Sequence, residues 1–141
     1  VITGDRCVLG NSSEFKNCFL LEGAHAPHFN YVGDSVLGRD VNLGAGVILS
    51  NYRLDGQVIR VSRAGSLVET GLRKFGAIIG DGASVGCNAV LNPGSLVAPK
   101  AKILPGTIWL GGEEERLEGS VLGVGVADKA VEWCGGKSAF D

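Results

Sequence analysis

Apolar residues return every six positions along this chain, most with a glycine behind them: Leu9-Gly10, Leu37-Gly38, Leu43-Gly44, Ile79-Gly80 and Val85-Gly86, then Leu91, Val97 and Ile103. Four positions after each anchor stands a small or β-branched residue, namely Ser13, Val41, Val47, Ala83, Ala89, Ser95, Ala101 and Thr107. A strict six belongs neither to a helix, with its period of 3.6, nor to a strand alternating with period 2. It fits a solenoid whose coil has three short flat faces, one hexad to a face. The anchor points inward, the small residue packs beside it, and glycine eases the backbone near a corner.

The frame at positions 3, 9, 15 and 21 builds a first coil and calls for a corner at Pro27. The hexads resume four residues later, at Tyr31, and continue through 37, 43 and 49. The segment from His25 to Tyr31 is therefore expected as an irregular corner. Such a break re-aims side chains and marks a candidate site. Between positions 51 and 75 the repeat disappears. Residues 57–61 and 66–70 read as two strands around Arg63, Ala64 and Gly65, a hairpin projecting from one corner. Hexads return at Ile79 and end at about Ile108. The expected organisation is a solenoid over 1–108, with its insertion at 51–75, and a capping tail over 109–141, with a short helix at 128–133.

Composition narrows the classes. The 141 residues are one domain's worth, 45% hydrophobic with only 6% aromatic and 23 glycines, as a narrow prism filled by small side chains requires. Glycine has no period of three, which excludes collagen, and so apolar a chain is not low-complexity disorder. A formal net charge of −2 gives no general attraction to nucleic acid or to an anionic membrane. Cys7, Cys18, Cys87 and Cys134 form no C-x-x-C pair, and with two histidines no zinc spacing exists. Cys7 falls on a small-residue position and is expected as a buried thiol. The expected compartment is reducing and cytoplasmic, since no signal peptide or membrane-length apolar run occurs. The chain opens on Val1 without any methionine, which leaves open a fragment or the tail of a longer enzyme.

The hexads resemble those of the left-handed parallel β-helix acyltransferases. The run Pro27, His28, Phe29, Asn30, Tyr31, Val32, Gly33, Asp34, Ser35 is more specific. So are Val41 to Gly46, with Asn42, Leu43, Gly44 and Ala45 between them, and the pair Asn51-Tyr52. Together these resemble the acetyltransferase half of the bifunctional sugar-1-phosphate nucleotidylyltransferase/acetyltransferases, the glucosamine-1-phosphate N-acetyltransferases among them. The hairpin and the stretch from Thr70 to Asp81 look like the branch shared by archaea and some bacteria. The likeness covers roughly residues 4 to 107.

The resemblance implies an all-β, left-handed parallel β-helix with one projecting hairpin. It also implies a parallel homotrimer with sites between subunits, and transfer of an acetyl group from acetyl-CoA to the amino group of a hexosamine 1-phosphate. No metal is required for that transfer. His28 matches the general base, and imidazole suits the task because both its protonation states are accessible near neutral pH. Tyr31 and Asn42 match residues that hold the sugar phosphate, and Asn51 one that contacts the sugar or the acetyl group. Lys16 matches a phosphate-binding lysine, Lys74 another basic contact, and Arg60 a basic residue reaching in from the hairpin. Ala45 sits where a backbone N–H meets the acyl donor, and Cys87 where a small residue lies beside the CoA arm.

Two departures keep a second function open. The family's arginine on the sugar phosphate would fall before Val1, and Gln57 stands where a lysine is common. The nucleotidylyltransferase half, with its glycine- and arginine-rich loop, has no counterpart in these residues. A catalytically inactive trimerisation or binding module is the alternative, and an acetyltransferase for a different amine is a third reading. Read without the motif, His28 is a corner histidine bonded to backbone, Asn42 and Asn51 are turn residues, Lys16 and Lys74 are solvated charges, and Asp34 is a turn residue.

Overall fold

The computed structural model describes residues 1–109 and the backbone pairs Gly112–Glu113 and Val121–Leu122. The expected helix at 128–133 and Cys134 lie outside the described residues. Among the described residues every strand but two is parallel, and the chain winds as a left-handed parallel β-helix with three faces. The first face stacks Ile2–Thr3, Phe19–Leu20, Val36–Leu37, Ala77–Ile79, Ser95–Val97 and Gly112–Glu113. The second stacks Val8–Asn11, His25–His28, Asn42–Leu43, Ser84–Val85, Lys102–Ile103 and Val121–Leu122. The third stacks Glu14–Lys16, Tyr31–Gly33, Ile48–Leu49, Val90–Leu91 and Ile108–Trp109.

The predicted anchors from Leu37 onward are the core. Leu37, Leu43, Leu49, Ile79, Val85, Leu91, Val97 and Ile103 are all buried, as is Trp109 one hexad further on, and the small residues two positions before them fill the gaps between; Leu9, in the first coil, is instead 41% exposed. Short strands bury little individually, but each coil satisfies its backbone groups on the coils above and below. Cys18 is one of the small inward residues, and burial pushes its thiol pKa up. Cys7 holds the corresponding place in the first coil but is only half-buried, its thiol donating to the Leu21 carbonyl at 3.1 Å.

The corners obey a rule of their own. Between the first and second faces the left-handed backbone recurs at Arg6, Gly23, Asp40, Gly82 and Lys100. Between the second and third it recurs at Ser12, Phe29, Gly46, Asn88 and Gly106. Each lies three residues after an inward anchor. The glycines directly behind the anchors serve a different purpose from the one expected: their φ is ordinary, and they make room for the next coil. A Cβ on Gly44 would lie 2.7 Å from the Cys87 nitrogen, and one on Gly80 2.5 Å from that of Pro99.

The corner between the third and first faces departs from this rule, and the expected phase break is corrected there. Anchors run Phe15 to Leu20 and Val32 to Leu37, steps of five, with the positive φ at Asn17 and Asp34, two residues after the anchor. By contrast His25–His28 is a regular strand with Ala26 inward, and Val32, not Tyr31, is the next anchor. One residue is missing from each of two successive turns of a single corner.

The insertion leaves from the same corner one coil later. Its neck is closed by the bridge between Tyr52 and Lys74 and by the Phe75 N–H donating to the Asn51 carbonyl at 2.9 Å. The hairpin pairs Arg60–Arg63 with Ser66–Glu69. The expected first strand is thereby shifted toward the turn. Ala64 and Gly65, both at positive φ, make the tight two-residue connection that fixes this register. Buried Ile59 fastens the arm to the coil stack: its N–H donates to the Leu72 carbonyl and its own carbonyl accepts from Thr70, while its side chain lies against Gly94.

Candidate functional site

His28 ends the second-face strand of the second coil, its side chain exposed. Three facts fix its backbone. Asn30 Oδ1 accepts from the His28 N–H at 3.2 Å, the His28 carbonyl accepts from the Gly46 N–H at 3.1 Å, and Asn11 lies beside it in register. Phe29, next in the chain, takes φ 34 where the other rungs of this corner are serine, asparagine or glycine. A bulky residue there is held by its surroundings.

Asn30 is the surrounding that matters most. It occupies an inward, 2% exposed place where most repeats have an apolar side chain. Its amide donates to the Gly44 carbonyl at 2.8 Å, and its backbone N–H donates to Ser13 Oγ at 3.0 Å. Three coils are thus joined at the turn that presents His28. The sequence left Asn30 without a role, because a frame anchored on Tyr31 does not place it on an inward position; the anchor at Val32 does.

The corner ladder brings His28, Ala45 and Cys87 together on successive coils. The Asn88 N–H donates to the Ala45 carbonyl at 2.8 Å, and the Gly106 N–H to the Cys87 carbonyl at 2.9 Å. Cys87 is an exposed free thiol.

A second group gathers at the opposite end of the third face. Tyr31 and Asn51 converge on the bare face of Gly33: a Cβ there would lie 2.6 Å from Asn51 Nδ2 and 2.8 Å from the Tyr31 phenolic oxygen. Lys16 is in register with Gly33, one coil earlier. Lys74 stands at the neck of the insertion and lines a cleft of about 400 Å³ with Asn17, Asp34, Leu72 and Phe75. Asp34, read from sequence as a turn residue, does hold a turn (φ 46), and its carboxylate also accepts from Asn17 and Asn51.

Two of the expected contacts stand apart within one chain. Asn42 is exposed at the start of the second face, in register with His25 and not with His28. Arg60 pairs with Glu69 at 3.3 Å and lines a separate cleft of about 510 Å³ with Tyr52, Arg53 and Asn92. Asp55, gripped by Arg53 at the rim of that cleft, has its carboxyl pKa pulled down to about 2. No helix among the described residues is long and apolar enough to cross a membrane.

The fold and the corner ladders define the chain as a hexapeptide-repeat parallel β-helix. No family model matches it. It is, however, 40% identical over 100 residues, 71% of its length and 25% of the relative's, to a bifunctional sugar-1-phosphate nucleotidylyltransferase/acetyltransferase of Sulfurisphaera tokodaii. To the bifunctional protein GlmU of Methanococcus vannielii it is 39% identical over 95 residues, 67% of the chain and 23% of that protein. The chain is thus a homologue of part of these bifunctional proteins and spans about a quarter of their length. Its fold is that of the acetyltransferase domain of PglB from Neisseria gonorrhoeae, solved in complex with acetyl coenzyme A. The TM-score is 0.63 at 16% identity, covering 85% of this chain and 46% of that one.

Proposed function

We propose that this chain is an acyltransferase that moves the acetyl group of acetyl-CoA onto the amino group of a hexosamine 1-phosphate, with His28 as general base. The observation that carries the reading is the ladder of His28, Ala45 and Cys87 up one corner. It lines an exposed acid–base group with two small residues along a single edge, a geometry suited to an extended acyl donor. Relatives that bear acetyltransferase in their names support the class of reaction.

In this mechanism the neutral amine attacks the thioester carbonyl, forming the N–C bond as its proton passes to the His28 imidazole. Collapse of the tetrahedral intermediate breaks the C–S bond, and the proton follows to the departing sulfur. The Ala45 backbone N–H stabilises the oxyanion, and orientation of the two substrates supplies much of the rate. Lys16 and Lys74 receive the sugar phosphate, with Tyr31, Asn42 and Asn51 on the sugar. Arg60, reaching from its hairpin, serves the pocket of a neighbouring subunit in a parallel homotrimer.

The separation of the two groups along the third face supports a shared site, with one subunit presenting His28 and another the lysine cluster. The test is a thiol-release assay with acetyl-CoA and glucosamine 1-phosphate, with galactosamine 1-phosphate alongside. Turnover should fall by about 10²- to 10⁴-fold in His28→Ala. A folded chain that turns over neither sugar would instead be a binding or assembly module, and full activity in His28→Ala would remove His28 as the base.

A further inference from the structure

Asn17, Asp34 and Asn51 stand on successive coils at the corner between the third and first faces, the corner shortened by one residue at Asn17 and at Asp34. The two oxygens of the Asp34 carboxylate are divided between the flanking amides: Oδ1 accepts from Asn17 Nδ2 at 3.2 Å and Oδ2 from Asn51 Nδ2 at 2.5 Å. The Asp34 backbone is tied in as well. Its N–H donates to the Lys16 carbonyl at 2.8 Å, and its carbonyl accepts from the Gly76 N–H at 2.8 Å, two residues past Lys74.

We propose that Asp34 is a positioning residue that fixes which way the Asn51 amide faces, and so makes Asn51 an acceptor toward the amino sugar. The proposal rests on the acetyl-transfer reading above. An ionised carboxylate only accepts, so the NH₂ group of Asn51 must face Asp34 and its Oδ1 must face away. Asn51 is nine-tenths buried against Gly33, which leaves the amide little freedom to turn. The NH₂ group is thus held between Asp34 and the Gly33 face beside the Tyr31 phenol, and Oδ1, on the other side of the amide, is left as a fixed acceptor for an N–H or O–H of the sugar. Aspartate is the side chain this role demands. Asparagine at position 34 would offer one acceptor and one donor, and one of its two amide neighbours would meet a donor.

The test compares Asp34→Asn with the exchange pair Asp34→Asn/Asn51→Asp. The pair rebuilds the hydrogen bond with donor and acceptor interchanged and still presents an acceptor at position 51. In Asp34→Asn the KM for glucosamine 1-phosphate should rise about 10- to 100-fold, the worth of a hydrogen bond to a charged group. The KM for acetyl-CoA and the pH midpoint of kcat should stay in place, and the exchange pair should bring the sugar KM back toward wild type. An unchanged sugar KM in a folded Asp34→Asn, or a folded exchange pair no better than the single variant, would overturn the proposal. If Asp34→Asn alone does not fold, the exchange pair decides by itself: a sugar KM near wild type supports the coupling, and an exchange pair that fails to fold or to bind overturns it. Should the wild-type chain turn over no amino sugar, the Asn51 side-chain NH₂ resonances still answer. Protected, shifted signals that become those of a free amide in Asp34→Asn support the orientation, and signals unmoved by the substitution refute it.

Discussion

The two described thiols that matter differ in surroundings more than in chemistry. Cys18 sits inside the prism as a small apolar filler, with its thiol pKa raised by burial. Cys87 stands exposed on the ladder with His28 and Ala45. Because the thiolate is the reactive form, an alkylating reagent should modify Cys87 early and Cys18 only on unfolding. Mass spectrometry after a short pulse of iodoacetamide reads this directly. If the ladder carries the acyl donor, acetyl-CoA should protect Cys87 and the alkylated chain should lose transfer activity. Early labelling of Cys18, or labelling of Cys87 without effect on activity, would contradict the placement. At this scale the sequence marks candidate site residues but not their neighbours. Asn30 and Asp34 stood inside the quoted motif, yet their roles depend on coils 14 to 17 residues away, a separation at which no local pattern speaks.

The hexad was legible because each inward anchor meets the same environment, an apolar interior two residues past a small neighbour. What misled was the corner. A one-residue deletion leaves the next anchors equally apolar, so Leu21 stood in for Leu20, and the mismatch was assigned to the first proline downstream. The hairpin register escaped for a related reason: alternation over residues 57–61 is compatible with a strand, and only the two-residue turn at Ala64 and Gly65 decides the pairing.

Glycines separate these elements experimentally. A Cβ on Gly44 meets backbone, the Cys87 nitrogen at 2.7 Å, and backbone cannot step aside without moving a coil. Gly44→Ala should therefore cost about 1–3 kcal/mol of stability, seen as a lowered thermal midpoint. A Cβ on Gly33 first meets side chains, those of Asn51 and Tyr31. Gly33→Ala, which must displace the Asn51 amide but no coil, should lose less stability than Gly44→Ala while raising the sugar KM. Equal loss of stability in both would mean that the Gly33 surface is scaffold and not site.

Across the whole molecule the three faces carry different exteriors. On the first face Ile2, Phe19, Val36 and Ile78 lie in register and point outward, 58, 43, 37 and 41% exposed. Beyond Val8 in the first coil, the second face carries His25, Asn42, Ser84 and Lys102 in the same register positions. An apolar ladder of that length on a flat face is a surface to be covered. The shared site proposed above needs a partner that brings one subunit's His28 to another's Lys74; a head-to-tail contact of that kind generates closed rings, and the assembly proposed is the ring of three.

Sedimentation equilibrium should accordingly give three times the 14.6 kDa chain. Val36→Lys should reduce it to the monomer, with Ser84→Lys as the neutral control on the second face. The shared site has a sharper consequence. His28→Ala and Lys74→Ala chains, each weak alone, should recover part of the wild-type rate when unfolded and refolded together, because some mixed trimers join an intact His28 to an intact Lys74. Recovery in the mixture but not in either variant refolded alone fixes the base and the phosphate cluster on different subunits. Its absence, with mixed trimers shown to form, would confine both to one chain and force the sugar to bridge the third face from end to end.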